Sequence, residues 1–329
     1  MALAAAAIAL GGPTSAGVTS AAAADTDPGS IGIRLLEAPV ARRNDPRART
    51  YIVDHLKPGT TIKRKIEISN TSSAPRHMDL YAAAASIENN GFTFAPKRTA
   101  NELTRWTRVE PATANLEPHS TAKAQITINV PRTAQAGERY AVAWAESAAA
   151  ADSTHNIAGI TRVGVRIYLD IGPGGEPLSD FEIENMNGTR DKRGRPSVTA
   201  TVHNLGRRSV DLNGTLDLHH GPGGISAGPF HVASGITLAP DGTGSVTVPL
   251  DPGLPDGPWK ATLKLRSGTV ERTRTATVML AAEETTSRTP LYAGAAALAT
   301  AVLALVAVRR HRRKSRQAGH RHDTSTPET

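Results

Sequence analysis

The sequence contains no cysteine, which excludes a disulfide framework, a thiolate metal site and a cysteine nucleophile. Aromatic residues make up 4% of it, few for the ring-lined clefts that stack sugars or bases. Basic charge is scarce where nucleic acid would need it. The formal net charge is +8, from 38 Lys/Arg against 30 Asp/Glu. Seven of those Lys/Arg fall between Arg309 and Thr329, beside only Asp323 and Glu328, so the tail alone carries +5. The rest of the chain holds 31 basic and 28 acidic residues, a net +3. A body so nearly balanced offers no electrostatic track for a polyphosphate, so nucleic acid is not an expected partner. Between Asp25 and Arg288 no stretch sustains a 3.6-residue apolar period, which argues against helical bundles. With 39% hydrophobic and 21% charged residues in 329, wholesale disorder and a polytopic membrane protein are also excluded.

The two ends read as address and anchor. MALAAAAIALGGPTSAGVTSAAAAD is an apolar run of small residues, a Gly/Pro/Ser break and an Ala-rich stretch in which Ala22 and Ala24 fit small-x-small cleavage. Residues 1–24 are therefore expected to be a signal peptide, although no Lys or Arg precedes Arg34. Leu291–Val308 reads LYAGAAALATAVLALVAV, 18 residues without a charge, about 27 Å as a helix at ~1.5 Å per residue and enough to span a thin bilayer. RRHRRKSR follows at once, a positive-inside stop signal and a patch suited to anionic headgroups. The expectation is a single-pass membrane protein: stalk 283–290, span 291–308, cytoplasmic tail 309–329, and an extracellular bulk.

That bulk alternates. TIKRKIEIS sets Ile62, Ile66 and Ile68 on one face, and AKAQITINV, VTATVHN, GSVTVPL and ATLKLRS do likewise. Turn signals separate them: PGT, NTSSAP, NNG, EPHS, APDG, LPDG. Two series run in the same order, each a strand, an Asn-containing turn, a strand, a Leu-x-Pro turn, a strand and a Gly turn into a closing strand. The 29 Gly and 22 Pro suit this punctuation. The expected fold class is all-β, two tandem immunoglobulin-like β-sandwich domains over residues 25–171 and 180–282, followed by a single transmembrane helix. GPGGEPLS, residues 172–179, is the linker.

PGTTIKRKIEISNTSSAPRHMDLYAAAA, NNGFTF, a lone Trp106 in LTRWTRVEP, and LEPHSTAKAQITINVPRTAQAGERYAVAWAE together resemble the DUF916-type peptidoglycan-binding domain of the WxL-interacting proteins of Gram-positive bacteria. The resemblance covers about Ile31 to Gly172 and rests on the order of the turn motifs. It implies a non-enzymatic protein that binds peptidoglycan or another anionic wall polymer through its first domain. It also implies that the second domain takes a surface-protein ligand. No WxL tripeptide occurs in the chain, as befits a partner of WxL proteins. The Ala-, Arg- and Gly-rich usage resembles that of a GC-rich actinobacterium.

Catalytic signals are weak. No Ser-x-x-Lys lies at a predicted helix start. GPGG occurs at residues 172–175 and 221–224 without the Lys-Ser/Thr of a phosphate loop, so both read as turns. His203, His220 and His231 form a candidate metal set in the second domain, weighed against exposed strand and loop histidines. The second reading is preferred, so no metal, cofactor or catalytic residue is expected. In YAVAWAE, Tyr140, Val142 and Trp144 share the bulkier face and are expected to face the core; Trp259 is read as core as well. Ala41–Thr50, ARRNDPRART, is a polar loop with Arg42, Arg43, Arg47 and Arg49. It is a candidate cationic rim, because guanidinium pairs bidentately with carboxylate and phosphate. Tyr81, Phe92 and Trp106 are the alternative glycan contacts. Wall attachment is the expected function, with a spacer lacking glycan affinity and a wall hydrolase as the alternatives.

Overall fold

Alternating segments become strands where turn residues bound them, and each strand then has one face to bury. The computed structural model describes residues 31–148, 159–233 and 236–281. The expected leader, stalk, span and basic tail lie outside the described residues. Among the described residues no helix is long and apolar enough to cross a membrane.

The first half of the chain contributes β1 (Ile31–Leu35), β2 (Ile52–Leu56), β3 (Thr61–Asn70), β4 (Arg76–Glu88), β5 (Gly91–Phe94), β6 (Thr107–Glu110), β7 (Thr113–Leu116), β8 (Ser120–Asn129), β9 (Gly137–Ala148) and β10 (Ile160–Ile171). Two one-turn helices, α1 (Pro46–Thr50) and α2 (Glu102–Trp106), interrupt them. One sheet runs β1-β3-β8-β6. The sheet facing it runs β4-β9-β10-β2, with β5 and β7 on the free edge of β4. Between them Ile66, Ile68, Ile126 and Ile128 meet Met78, Leu80, Ala141, Ala143 and Ala145. Each fully buried isoleucine contributes about 1.5–3 kcal/mol of transfer free energy.

The second half supplies β11 (Glu182–Arg190), β12 (Pro196–His203), β13 (Val210–His219), β14 (Ala227–His231), β15 (Ile236–Leu238), β16 (Thr243–Pro249), β17 (Gly257–Ser267) and β18 (Val270–Leu280). The sheet β11-β12-β16 packs on β18-β17-β13-β15, with β14 also on β13. Val198, Val202, Val246, Val248, Leu216, Leu263 and Trp259 fill this core. Trp259 is fully enclosed, its Nε1 donating to the Pro255 carbonyl at 3.2 Å. Its ring lies so close to Gly221 that a Cβ there would sit 2.3 Å from it, which is why the GPGG turn begins with glycine. The protein is thus mostly β, two immunoglobulin-like sandwiches in tandem.

The parallel order of turn motifs has a structural counterpart. Asn70 is the buried last residue of β3, and its amide donates to the carbonyls of Ala74, Leu116 and Glu117 at 2.8–3.2 Å. Asn204 is buried after β12 and donates to Arg208, Leu238 and Ala239 at 2.8–3.3 Å. Each asparagine therefore ties its own loop to the Leu-x-Pro turn of its sandwich, satisfying carbonyls that burial would otherwise strand.

The β9 assignment is reversed. Ala141, Ala143 and Ala145 face the inter-sheet core, and Tyr140, Val142 and Trp144 face outward. The four isoleucines opposite leave room only for small partners, and large-against-small packing keeps the sheets close. Trp144 is still only 6% exposed, because Phe94 packs edge-on at 4.9 Å and the Arg162 guanidinium lies 4.5 Å over the ring. Gly164 pairs with Trp144 across β9 and β10, and a Cβ there would meet the indole at 2.6 Å.

Candidate functional site

The segment Ala41–Thr50 is not an open rim. Asp45 caps α1 by accepting from the Arg47 backbone N–H at 2.9 Å, and Pro46 occupies the first turn, a sequence made to start a helix. This aims Arg47 at the second sandwich. Its Nη1 and Nη2 donate to the Ser209 carbonyl and hydroxyl at 2.7 and 2.9 Å, and its Nε pairs with Asp211. The guanidinium lies 4.2 Å over the Tyr168 ring, and the side chain is 8% exposed. Around it, Tyr168 and Thr237 donate to Asp211 at 2.8 and 2.7 Å, while Ser209 N–H and Tyr140 donate to Glu138 at 2.7 and 2.8 Å. Burial alone would lower the Arg47 pKa, but Asp211, Tyr168 and Glu138 override it and the net shift is upward. Burial also raises Glu138, against Arg47 and Ser209. Burial and then Glu138 raise Tyr140.

Arg42 is occupied too. It pairs with Glu176 of the linker and with Asp45, and Glu176 also accepts from Arg208 at 2.7 Å. Arg43 and Arg49 remain exposed, the latter donating to the Arg43 carbonyl at 2.7 Å. The four arginines therefore divide: Arg42 and Arg47 join the two sandwiches and pin the linker, and only Arg43 and Arg49 face solvent. The junction is completed by one strand pair, Ile236 of β15 with Gly91 of β5, and by Thr237 N–H donating to the Asn90 carbonyl at 2.9 Å. Phe92 belongs to this joint. It is buried with Ala48, Val53 and Tyr168, its ring 5.0 Å from that of Tyr168, so it presents no glycan platform.

Tyr81 is different. Strand β4 pairs with β9 so that Tyr81 lies opposite Trp144 on the outer face. Its hydroxyl donates to Glu146 at 2.5 Å, and Arg98 covers its ring at 4.2 Å. Burial, with Glu146 adding to it, raises the phenol pKa, so it stays a neutral donor near pH 7. Tyr81, Lys97, Arg98, Glu146, Ile160 and Arg162 line a cleft of about 600 Å³. Three cations face one carboxylate there; Asp79 partners Arg98 at 2.7 Å. Such a cleft offers charge-assisted hydrogen bonds beside an aromatic ring. Lys97 and Arg98 come from the Ala-Pro-Lys-Arg turn after β5, a turn signal visible in the sequence. Arg162 reaches the cleft because β10 pairs it with Glu146, a register no local motif reveals. Trp106 lies apart, half-buried against the first core at the end of α2, with Arg139 5.2 Å over its ring. The structure thus brings Tyr81 and Phe92 to one outer face but not to one site.

The histidines do not converge. His220 follows β13 in a left-handed turn and His231 sits on β14 opposite Thr215, while His203 ends β12 near Glu184 and Asp241. His55 is a half-buried strand residue whose Nδ1 lies 2.5 Å from Asp170. Its Nε2 is enclosed with no hydrogen-bond partner, so His55 itself holds no hydroxyl, whereas the exposed His219 has its Nδ1 3.2 Å from the Ser226 hydroxyl.

The sequence matches no protein-family model and no curated protein. Among solved structures, the Escherichia coli chaperone DraB is similar at 11% identity, with 75% of this chain and 98% of that one covered and a TM-score of 0.40. A Salmonella enterica complex of SafA pilin with the SafB chaperone gives 10% identity, 75% and 96% coverage and 0.44. The Pseudomonas aeruginosa CupB2 chaperone gives 11%, 70% and 97%, and 0.37. At such identities and TM-scores the likeness carries no function across.

Proposed function

We propose that this chain is a membrane-anchored, extracellular, non-enzymatic protein that attaches to an anionic wall polymer through its first sandwich. The second sandwich is left to present a surface-protein contact. The observation that carries the proposal is the Tyr81 cleft, where Lys97, Arg98 and Arg162 surround one aromatic ring with a single lining acid. Exposed ion contacts are individually worth about 0.2–1 kcal/mol, so the cleft alone would bind weakly. A polymer that repeats its anionic group raises the effective concentration and makes weak contacts count. The resemblance to the WxL-interacting proteins points to the same partner, and the leader and span expected from the sequence would place the cleft outside the cell.

The test is co-sedimentation of the full chain, in detergent, with purified cell wall at increasing salt. The Lys97/Arg98/Arg162→Gln triple variant should lose most of the retained fraction and its salt dependence, since exposed charges are screened beyond about 8 Å at physiological ionic strength. The Arg43/Arg49→Gln variant should behave as the parent. Equal retention of parent and triple variant at low salt would remove the cleft from the account. A second reading, a spacer without glycan affinity, has its own support in the Arg47 joint, which suits a stiff strut. Failure of wall to retain the parent chain would favour it.

A further inference from the structure

His203 closes β12, and the antiparallel register sets Glu182 of β11 directly opposite it. A bulge follows between Ile183 and Asn185, so two residues on β11 answer one on β12. Phe181, Ile183 and Met186 enter the core, and Glu182 and Glu184 stay outside beside His203. One ligand atom from each of Glu182, Glu184 and His203 lies within 4.8 Å of the others. His203 Nδ1 is 3.8 Å from Glu184 Oε1, and Nε2 is 3.6 Å from Asp241 Oδ1. Both gaps are too long for hydrogen bonds. Three carboxylates thus gather around one imidazole, and no Lys or Arg among the described residues pairs with any of them. Arg274, which reaches β11, donates instead to the Ile183 carbonyl at 3.0 Å.

We propose that Glu182, Glu184 and His203 bind a zinc-class divalent ion at the outer edge of the second sandwich. Bonds of about 2.0–2.2 Å in a tetrahedral site set ligand atoms roughly 3.3 Å apart, a contraction that exposed side chains on paired strands can make. The imidazole selects this class of ion over calcium or magnesium, which prefer oxygen alone. Asp241 supplies the complementary contact. With Nδ1 on the metal, the Nε2–H faces its carboxylate, the arrangement that fixes the tautomer and orientation of a metal-bound histidine. The turn that carries Asp241 is held by Asn204, through the carbonyls of Leu238 and Ala239 and through Asn204 N–H to the Gly242 carbonyl at 2.9 Å. Two protein carboxylates neutralise the ion, and three ligands leave a coordination position open to solvent.

Titration calorimetry and thermal melting of the full chain with zinc chloride test this, with calcium chloride in parallel. The parent should take up one more equivalent of zinc than His203→Gln, and zinc should raise its melting temperature more. Comparison between variants cancels any zinc held by the tail histidines. Asp241→Asn should weaken zinc affinity about 10–100-fold with the stoichiometry kept. Calcium should give neither heat nor a shift. Both His203→Gln and Glu184→Gln alter half-exposed surface positions and should melt with the parent in the absence of zinc. If either folds and matches the parent in zinc stoichiometry and melting shift, or if calcium binds as zinc does, the site is refuted.

Discussion

The two sandwiches share a skeleton and differ on the outer face of one sheet. In the second, β17 alternates cleanly: Trp259, Ala261, Leu263 and Leu265 point inward, and Lys260, Lys264 and Arg266 point to water. In the first, both faces of β9 are covered. Its alanine face lies in the core, and its aromatic face lies under β5, Arg162 and the joint with the other sandwich. One skeleton therefore serves two purposes. A sheet with one wet face is a self-sufficient module, whereas a sheet covered on both faces can join a neighbour and frame a cleft.

The sharpest way to break this contrast is at the tryptophans. Trp259→Ala should cost about 3–5 kcal/mol, because that ring is wholly enclosed. Trp144→Ala should cost about 3 kcal/mol at most, since a movable guanidinium and an edge ring form its cover. Urea unfolding of both variants checks this, and a larger loss at Trp144 would make the outer face the principal core. The joint comes next. Arg47→Ala leaves Asp211 and Glu138 buried beside a missing cation and should cost about 3 kcal/mol. Calorimetry should then separate one melting transition into two. Arg43→Ala and Arg49→Ala should each stay within about 0.5 kcal/mol of the parent; a single unshifted transition in Arg47→Ala would deny the joint its coupling role.

A smaller effect sharpens the equivalence of the skeletons. Asn70→Ala and Asn204→Ala each strand three carbonyls and should cost about 1–3 kcal/mol, similar to one another. Asn187→Ala, at an exposed strand position, should be nearly silent. Unequal losses at Asn70 and Asn204 would show that only one sandwich depends on the tie.

The smallest effect concerns pH. Burial holds the Glu138 carboxyl above its ordinary range, against Arg47, Ser209 and Tyr140. The folded chain then binds that proton more tightly than the unfolded chain. Its contribution is greatest below the ordinary carboxylate pKa and is lost as pH rises through the raised one. The stability of the parent minus that of Glu138→Gln should fall over that window and stay level above it. A difference that instead grew with pH would mean that Arg47 outweighs burial at this carboxyl.

Much of the skeleton was legible. Period-two alternation marks β3, β8, β12, β16 and β17, and the two series of turn motifs foreshadow the matching ties of Asn70 and Asn204. Trp259 reads as core because one face of its strand is plainly polar. Trp144 misleads for the opposite reason: with both faces buried, bulk no longer identifies the core side, and the isoleucines that demand alanine opposite belong to another sheet. Arg47 looks like one more loop arginine, since its acceptors Ser209 and Asp211 lie in the other domain and nothing local marks them. Tyr81 could be named as a ring, but Arg162 joins it only through strand register.

The joint also has a mechanical meaning. A chain tethered at its carboxyl end and gripped at the Tyr81 cleft would transmit tension from one sandwich to the other. Without the joint, that tension would fall on the linker, and Gly172–Gly175 would simply straighten. Arg47 instead spans the seam with contacts to the Ser209 carbonyl, the Ser209 hydroxyl and Asp211, and the pair Ile236–Gly91 lies beside it. Bonds loaded side by side must yield together, so the resistance is a rate of rupture and not an equilibrium strength. Under brief pulls such a seam behaves as a solid, and under sustained ones as a latch that releases slack while both sandwiches remain folded.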